Sequence, residues 1–153
     1  MADLDDVYNL RILELASDIP CSDRLAKPDA TASARSKLCG STIAVDLNVA
    51  GERISGFGQD VKACLLGQAA AAIVGREIIG TSFDEFQNVG TTMRAMLKDG
   101  GPPPAGRWAD LALLQPVKDY PHRHASTLLV FEAVDKALSE IGGSQSAAAA
   151  ASQ

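Results

Sequence analysis

The clearest pattern in the chain lies between Ser41 and Val49. Ile43, Val45, Leu47 and Val49 alternate with Thr42, Ala44, Asp46 and Asn48. A period of two puts successive side chains on opposite faces, so this segment reads as a half-buried β-strand with one apolar and one polar face. Ala50-Gly51-Glu52 is a short turn. Arg53 to Phe57 reads as a returning strand, and the small polar stretch Ala30 to Lys37 as an edge strand before the alternation. The result is a meander of two or three antiparallel strands.

Helical spacing frames the meander. Leu4, Val7, Tyr8, Leu10, Ile12, Leu13 and Leu15 make a broad apolar stripe over Leu4 to Ser17, ended before Pro20. Asp18 to Asp29, with Pro20 and Pro28, reads as a loop. After Gly58 the period changes. Asp60 is placed to cap a helix over Val61 to Arg76, carrying Leu65, Leu66, Ala69, Ala72, Ile73 and Val74. Its small residues Ala69 to Ala72 allow a close approach to the sheet. Ser82 caps the next helix, with Glu85 three residues on as a capping box; it runs to about Lys98 and stops at Asp99-Gly100-Gly101.

Pro102-Pro103-Pro104 is an extended connector. Leu111 to Val117 predicts a short helix interrupted by Pro116. Pro121 opens a last amphipathic helix through Leu128, Leu129, Phe131, Val134 and Leu138 to about Ile141. Gly142 to Gln153 is rich in Gly, Ser, Ala and Gln and offers no apolar face, so it reads as a mobile tail. The division is a domain over 1–141 and a flexible tail over 142–153. One helix, a small meander, then helices make an α+β domain, with helices on one face of a small sheet.

Composition narrows the function classes. A chain of 153 residues fits one domain, and 46% hydrophobic residues suffice for a core. Aromatics are only 5%, so Ala, Leu, Val and Ile must fill it. A formal net charge of -5 argues against nonspecific nucleic-acid binding, which needs a basic face. The acidic start Met-Ala-Asp-Leu-Asp-Asp lacks an apolar signal core, and no apolar run reaches membrane-span length. The expectation is a soluble, cytoplasmic protein without nucleic-acid or membrane partners. Its three cysteines are poor material for a disulfide framework, so reduced thiols are expected.

Two cysteines stand in sharply framed contexts. Cys64 follows Phe57-Gly58-Gln59-Asp60-Val61-Lys62-Ala63. If Asp60 caps the helix, Cys64 lies in the first turn, where free backbone N–H groups and Lys62 favour the thiolate, the nucleophilic and metal-binding form. The competing reading is a small buried apolar residue. Cys39 precedes Gly40, which permits backbone conformations closed to other residues and can present a side chain at the mouth of a sheet. It also shares parity with Ile43 and Val45, which suits an inward-facing strand residue.

Cys21, in a Pro-bounded loop, reads as an incidental thiol, with a movable extra ligand as the alternative. His122 and His124 flank Arg123 two positions apart and share no helix face. One of them, as a neutral imidazole, can join the thiols on zinc or iron; the competing reading for each is a solvated helix start. No Gly-rich phosphate loop, Cys-x-x-Cys pair or nucleophile elbow is present. No base–nucleophile pair stands out, so no enzymatic turnover is expected.

In Ser36-Lys37-Leu38-Cys39-Gly40, the alternating strand, Phe57 to Cys64, and Pro121-His122-Arg123-His124, the chain resembles the U-type iron–sulfur cluster scaffold family (NifU N-terminal or IscU-like). The resemblance spans roughly Leu4 to Leu138. It implies a three-stranded antiparallel sheet packed against about five helices. It also implies a scaffold that assembles a [2Fe–2S] cluster from iron and sulfide and passes it to apo acceptor proteins. Sulfur would come as persulfide from a cysteine desulfurase.

The family site uses three cysteines and an aspartate. Cys39 and Cys64 match the first two cysteines. Ser41 stands where the aspartate is expected, and the third cysteine falls on Ala125 or Ser126; aligning Pro121, Arg123 and Phe131 favours Ser126. The implied cluster ligands are Cys39 and Cys64, with His124 as a third metal ligand. The alternatives are a non-cluster interaction protein on the same fold and a zinc-binding sulfur acceptor.

Overall fold

The structure, a computed structural model, describes residues 10–37 and 40–151, with side chains as far as 141. The expected helix segment before Leu10, and Cys39 itself, lie outside the described residues. The described elements are α1 (Leu10–Ser17), β1 (Ala30–Arg35), β2 (Thr42–Ala50), β3 (Arg53–Lys62), α2 (Leu65–Glu77) and α3 (Phe83–Asp99). A 3-10 helix over Gly106–Asp119 and a 3-10 turn over Pro121–Arg123 follow, then α4 (His124–Thr127) and α5 (Leu129–Ala151).

The strands form one antiparallel sheet in the order β1-β2-β3. Ala32 faces Val45 and Ala34 faces Ile43 across the first pair; Leu47 faces Phe57 and Thr42 faces Lys62 across the second. Ile43, Val45 and Leu47 are wholly buried, as the alternation requires. α5 packs against β1 and β2, while α2 packs against β3 and α1. Ala69, Ala70 and Ala71 are completely buried in that contact. The α+β class and the three-stranded sheet agree with the sequence.

Four features differ from the sequence reading. β3 does not end at Phe57 but pairs with β2 out to Lys62. Asp60 is therefore an exposed strand residue opposite Ala44 and caps nothing. The backbone groups of β2 are satisfied by a partner along its whole length, and that ladder outweighs a local capping signal. α2 accordingly starts at Leu65, with Cys64 at the N-cap in extended conformation (φ -66°, ψ 171°). Ser82 does cap α3, accepting a hydrogen bond from the Glu85 N–H at 3.1 Å.

The second difference is the segment read as a short helix at Leu111 to Val117. It belongs to a fourteen-residue 3-10 helix. Trp108, Leu111, Leu114 and Val117 recur every third residue and all are buried. Side chains three apart align on one face of a 3-10 helix, so this spacing suits three residues per turn. Third, the last helix is broken. Pro121 opens a 3-10 turn, α4 ends at Thr127, and α5 runs beyond Ile141 to Ala151, as the high helix propensity of alanine allows.

Fourth, the polar face of β2 is covered at its middle. Asp46 on that face is only 1% exposed. Residues of the 18–29 loop lie over it. The Asp46 carboxylate accepts from Arg24 Nε at 2.6 Å and Nη2 at 2.8 Å, from Thr31 Oγ1 at 2.6 Å and from the Leu25 N–H at 3.0 Å. The loop crosses β3 at Gly58, where a Cβ would stand 2.5 Å from the Asp23 carbonyl oxygen. The Arg24 bonds, joined by those of Thr31 and Leu25, hold the Asp46 carboxyl well below its usual range, at about 2.

Candidate functional site

The site grows from the junction where β3 hands over to α2. Cys64 is partly buried at that junction. Its N–H donates to Ser41 Oγ at 3.2 Å, and Ser41 is the residue that opens into β2. Ser36 N–H donates to the Ser41 carbonyl at 2.8 Å and closes the turn between β1 and β2. Gly40 takes φ +73° in that turn, a conformation glycine adopts without strain. Ser41, bonded to Cys64, stands two residues after Cys39 in the sequence.

The Cys64 side chain turns toward α4. Its Sγ donates to Ser126 Oγ at 3.4 Å, and Ser126 Oγ donates in turn to the Arg123 carbonyl at 3.2 Å. Ser126 is fully buried and Ser41 is 4% exposed. The thiol makes no capping bond to α2. This corrects the expectation that Cys64 lies inside the first helical turn among free N–H groups: the thiol faces a hydroxyl instead.

Gly67 makes this contact possible. A Cβ there would lie 2.9 Å from Ala63 Cβ and 3.0 Å from the Ser126 carbonyl oxygen. Without a side chain at 67, α2 and α4 approach closely enough for Cys64 to reach Ser126. Gln68 fixes the same end of α2 through its amide Nε2, which donates to the Ala63 carbonyl at 2.7 Å.

Of the two positions open for the third ligand, Ser126 meets Cys64, whereas Ala125 is exposed. His124 points elsewhere with one ring nitrogen: Nε2 lies 3.0 Å from the Val117 carbonyl and 3.2 Å from that of Lys118, at the end of the 3-10 helix. His122 is exposed and meets Tyr120 edge-on. Cys21 Sγ contacts the Gly75 carbonyl at 3.6 Å, and burial pushes its thiol pKa up. Gly75 is eleven residues beyond Cys64, roughly 16 Å along the α2 axis. Cys21 therefore sits at the far end of α2 from Cys64.

Among the described residues, no group of three or more His, Cys, Asp and Glu side chains is placed to hold a metal ion. Among the described residues, the Cys64 thiol meets one hydroxyl, that of Ser126, while the Ser41 hydroxyl engages the Cys64 backbone N–H. Neither hydroxyl contact follows from the local sequence around Cys64, because Ser41 and Ser126 arrive from distant strands and helices. The matched positions of the family pattern were the signal that pointed to them.

Neither a protein-family model nor a curated protein sequence matches the chain. Solved structures do. The N-terminal part of a nitrogen-fixing NifU-like protein from Brucella abortus superposes with a TM-score of 0.90, at 46% identity, over 92% of this chain and 97% of that one. The chain belongs to the NifU-like family.

A putative iron–sulfur cluster assembly scaffold for the SUF system, from Fervidobacterium islandicum AW-1, shares the NifU-like fold at 18% identity. Its TM-score is 0.81, with coverage of 89% of this chain and 99% of that one. A hypothetical protein shares the fold with a TM-score of 0.78, at 18% identity over 88% and 98% of the two chains. Within its NifU-like fold this chain presents Cys64 bonded to Ser41 through its backbone N–H and to Ser126 through its thiol. Among the described residues no helix is long and apolar enough to cross a membrane.

Proposed function

We propose that this protein is an iron–sulfur assembly scaffold or a carrier of clusters or sulfur, acting through Cys64 together with Cys39. The observation that carries the reading is Cys64 itself. In a NifU-like fold, it is a partly buried thiol whose backbone N–H is bonded to Ser41, two residues after Cys39 in the sequence. Thiolates are the ordinary ligands of iron–sulfur clusters. The [2Fe–2S] cluster or iron is cargo, taken up with sulfur from a cysteine desulfurase and passed to apo acceptor proteins in the cytoplasm. The protein has no turnover of its own in this reading.

His124 is the proposed third metal ligand. A metal on its Nε2 has to displace the Val117 and Lys118 carbonyls, whose 3.0 and 3.2 Å contacts it now makes. The test is anaerobic incubation with iron, cysteine and a desulfurase. A visible-absorbing chromophore that Cys39→Ser and Cys64→Ser each abolish is expected. A colourless protein, under conditions that load a relative with three cysteines, rejects the reading.

A second reading is favoured by one observation: among the described residues, the side chains bonded to Cys64 are the hydroxyls of Ser41 and Ser126. It makes the chain an interaction protein on the scaffold fold, without a cluster of its own. Loss of cellular activity in a well-folded Cys39→Ser/Cys64→Ser variant would sink it. Zinc held by Cys39, Cys64 and a histidine is told from both by metal analysis of untagged protein.

A further inference from the structure

Ser126 is the side chain nearest the chemistry that the reading above does not use. Its Oγ lies 3.4 Å from Cys64 Sγ. Two donors on one tetrahedral ion, at about 2.3 Å for sulfur and about 2.1 Å for oxygen, stand roughly 3.6 Å apart. The Ser126 oxygen is thus at the separation of a second ligand. Its proton, however, is engaged with the Arg123 carbonyl at 3.2 Å, and an amide carbonyl is no base that could remove it. The hydroxyl stays neutral, and a neutral hydroxyl is a poor partner for thiophilic metals. It is also fully buried and held beside α2 at Gly67, so neither water nor another side chain replaces it easily.

We infer that Ser126 is a specificity-determining residue: it fills a coordination position beside Cys64 without coordinating, so that a thiophilic cation is held loosely and released readily. The inference rests on Cys64 as a metal ligand, as in the reading above, and names the residue that sets how firmly that ligand holds. Ser41 differs from Ser126 in that its Oγ accepts from the Cys64 backbone N–H.

Cobalt(II) titration of the reduced full-length chain, anaerobic and with folding verified by circular dichroism, tests it. Thiolate-to-cobalt charge-transfer absorption counts the sulfurs on the ion. Ser126→Cys is expected to bind cobalt(II) at least about tenfold more tightly than the parent, with added charge-transfer intensity. The gain should vanish in Ser126→Cys/Cys64→Ser. Ser126→Ala should bind as the parent does. Weaker binding by Ser126→Ala would make the hydroxyl a ligand and overturn the inference, and this arm decides the matter even if Ser126→Cys folds poorly. A folded Ser126→Cys variant without gain overturns it too. A parent that forms no chromophore with iron and sulfide, while Ser126→Cys still gains cobalt affinity, rejects the scaffold reading and leaves this inference standing.

Discussion

Gly67 and Ser126 leave no room for a side chain between their backbones: a Cβ on Gly67 would stand 3.0 Å from the Ser126 carbonyl oxygen. The same Cβ would press on Ala63 Cβ at 2.9 Å. Neither neighbour can rotate away, since one is main chain and the other a methyl group. Gly67→Ala should therefore wedge α2 from α4, lowering the unfolding free energy by about 1–3 kcal/mol. The Cys64–Ser126 contact should open with it, and Cys64 should alkylate faster. Urea denaturation and iodoacetamide labelling mapped cysteine by cysteine measure both. An unchanged midpoint with an unchanged Cys64 rate would mean that the helices do not meet at this point.

The Asp46–Arg24 pair gives the fold an acid limit. Asp46 is held at about 2 against an ordinary 3.8, chiefly by the Arg24 hydrogen bonds. A depressed carboxyl contributes stability that is complete above its unfolded value. It is lost as pH falls from about 4 through about 2. Asp46→Asn keeps the shape but removes the charge, and should cost about 1–3 kcal/mol near neutral pH. Arg24 is half exposed, so no buried cation is stranded. Urea midpoints taken at pH 6, 4 and 3 should fall for the parent and much less for the variant. Parallel pH profiles for the two proteins would show that Asp46 is not the group responsible.

Two capping signals in the sequence have opposite fates. Ser82 accepts the Glu85 N–H at 3.1 Å, and Ser82→Ala should destabilise by about 1 kcal/mol. Asp60 is an exposed strand residue, and Asp60→Ala should move stability by no more than about 0.5 kcal/mol. Thermal melts of the two variants side by side distinguish a real cap from an apparent one. Equal losses would contradict the β3 boundary.

What could be read in the chain was what local spacing encodes. The alternation from Ile43 to Val49 located the central strand, and Ser82 with Glu85 located the start of α3. The alanines at 69–72 marked the face of α2 that sinks into the core. Asp60 misled because its backbone is claimed by β2, a partner that no window around residue 60 contains. Asp46 looked solvated because the strand's own period says so; the loop that buries it comes from 21 or more residues earlier in the chain. Leu111 to Val117 predicts a short helix, and only the burial of Trp108, Leu111, Leu114 and Val117 together shows the period of three that makes it 3-10. The Cys64–Ser126 contact joins residues 62 positions apart, and only the family pattern brought them together in advance.

The placing of Cys21 beside Gly75, at the opposite end of α2 from Cys64, makes the chain its own control for oxidation. A disulfide needs Cα atoms within about 7 Å, and a folded single chain keeps these two far beyond that. A Cys21–Cys64 bridge recovered from oxidised protein must therefore join two molecules, or come from a chain that had opened. On a non-reducing gel, the first runs as a dimer and the second as an altered monomer. Air exposure thus leaves a record, readable without any activity assay, of whether a preparation stayed folded.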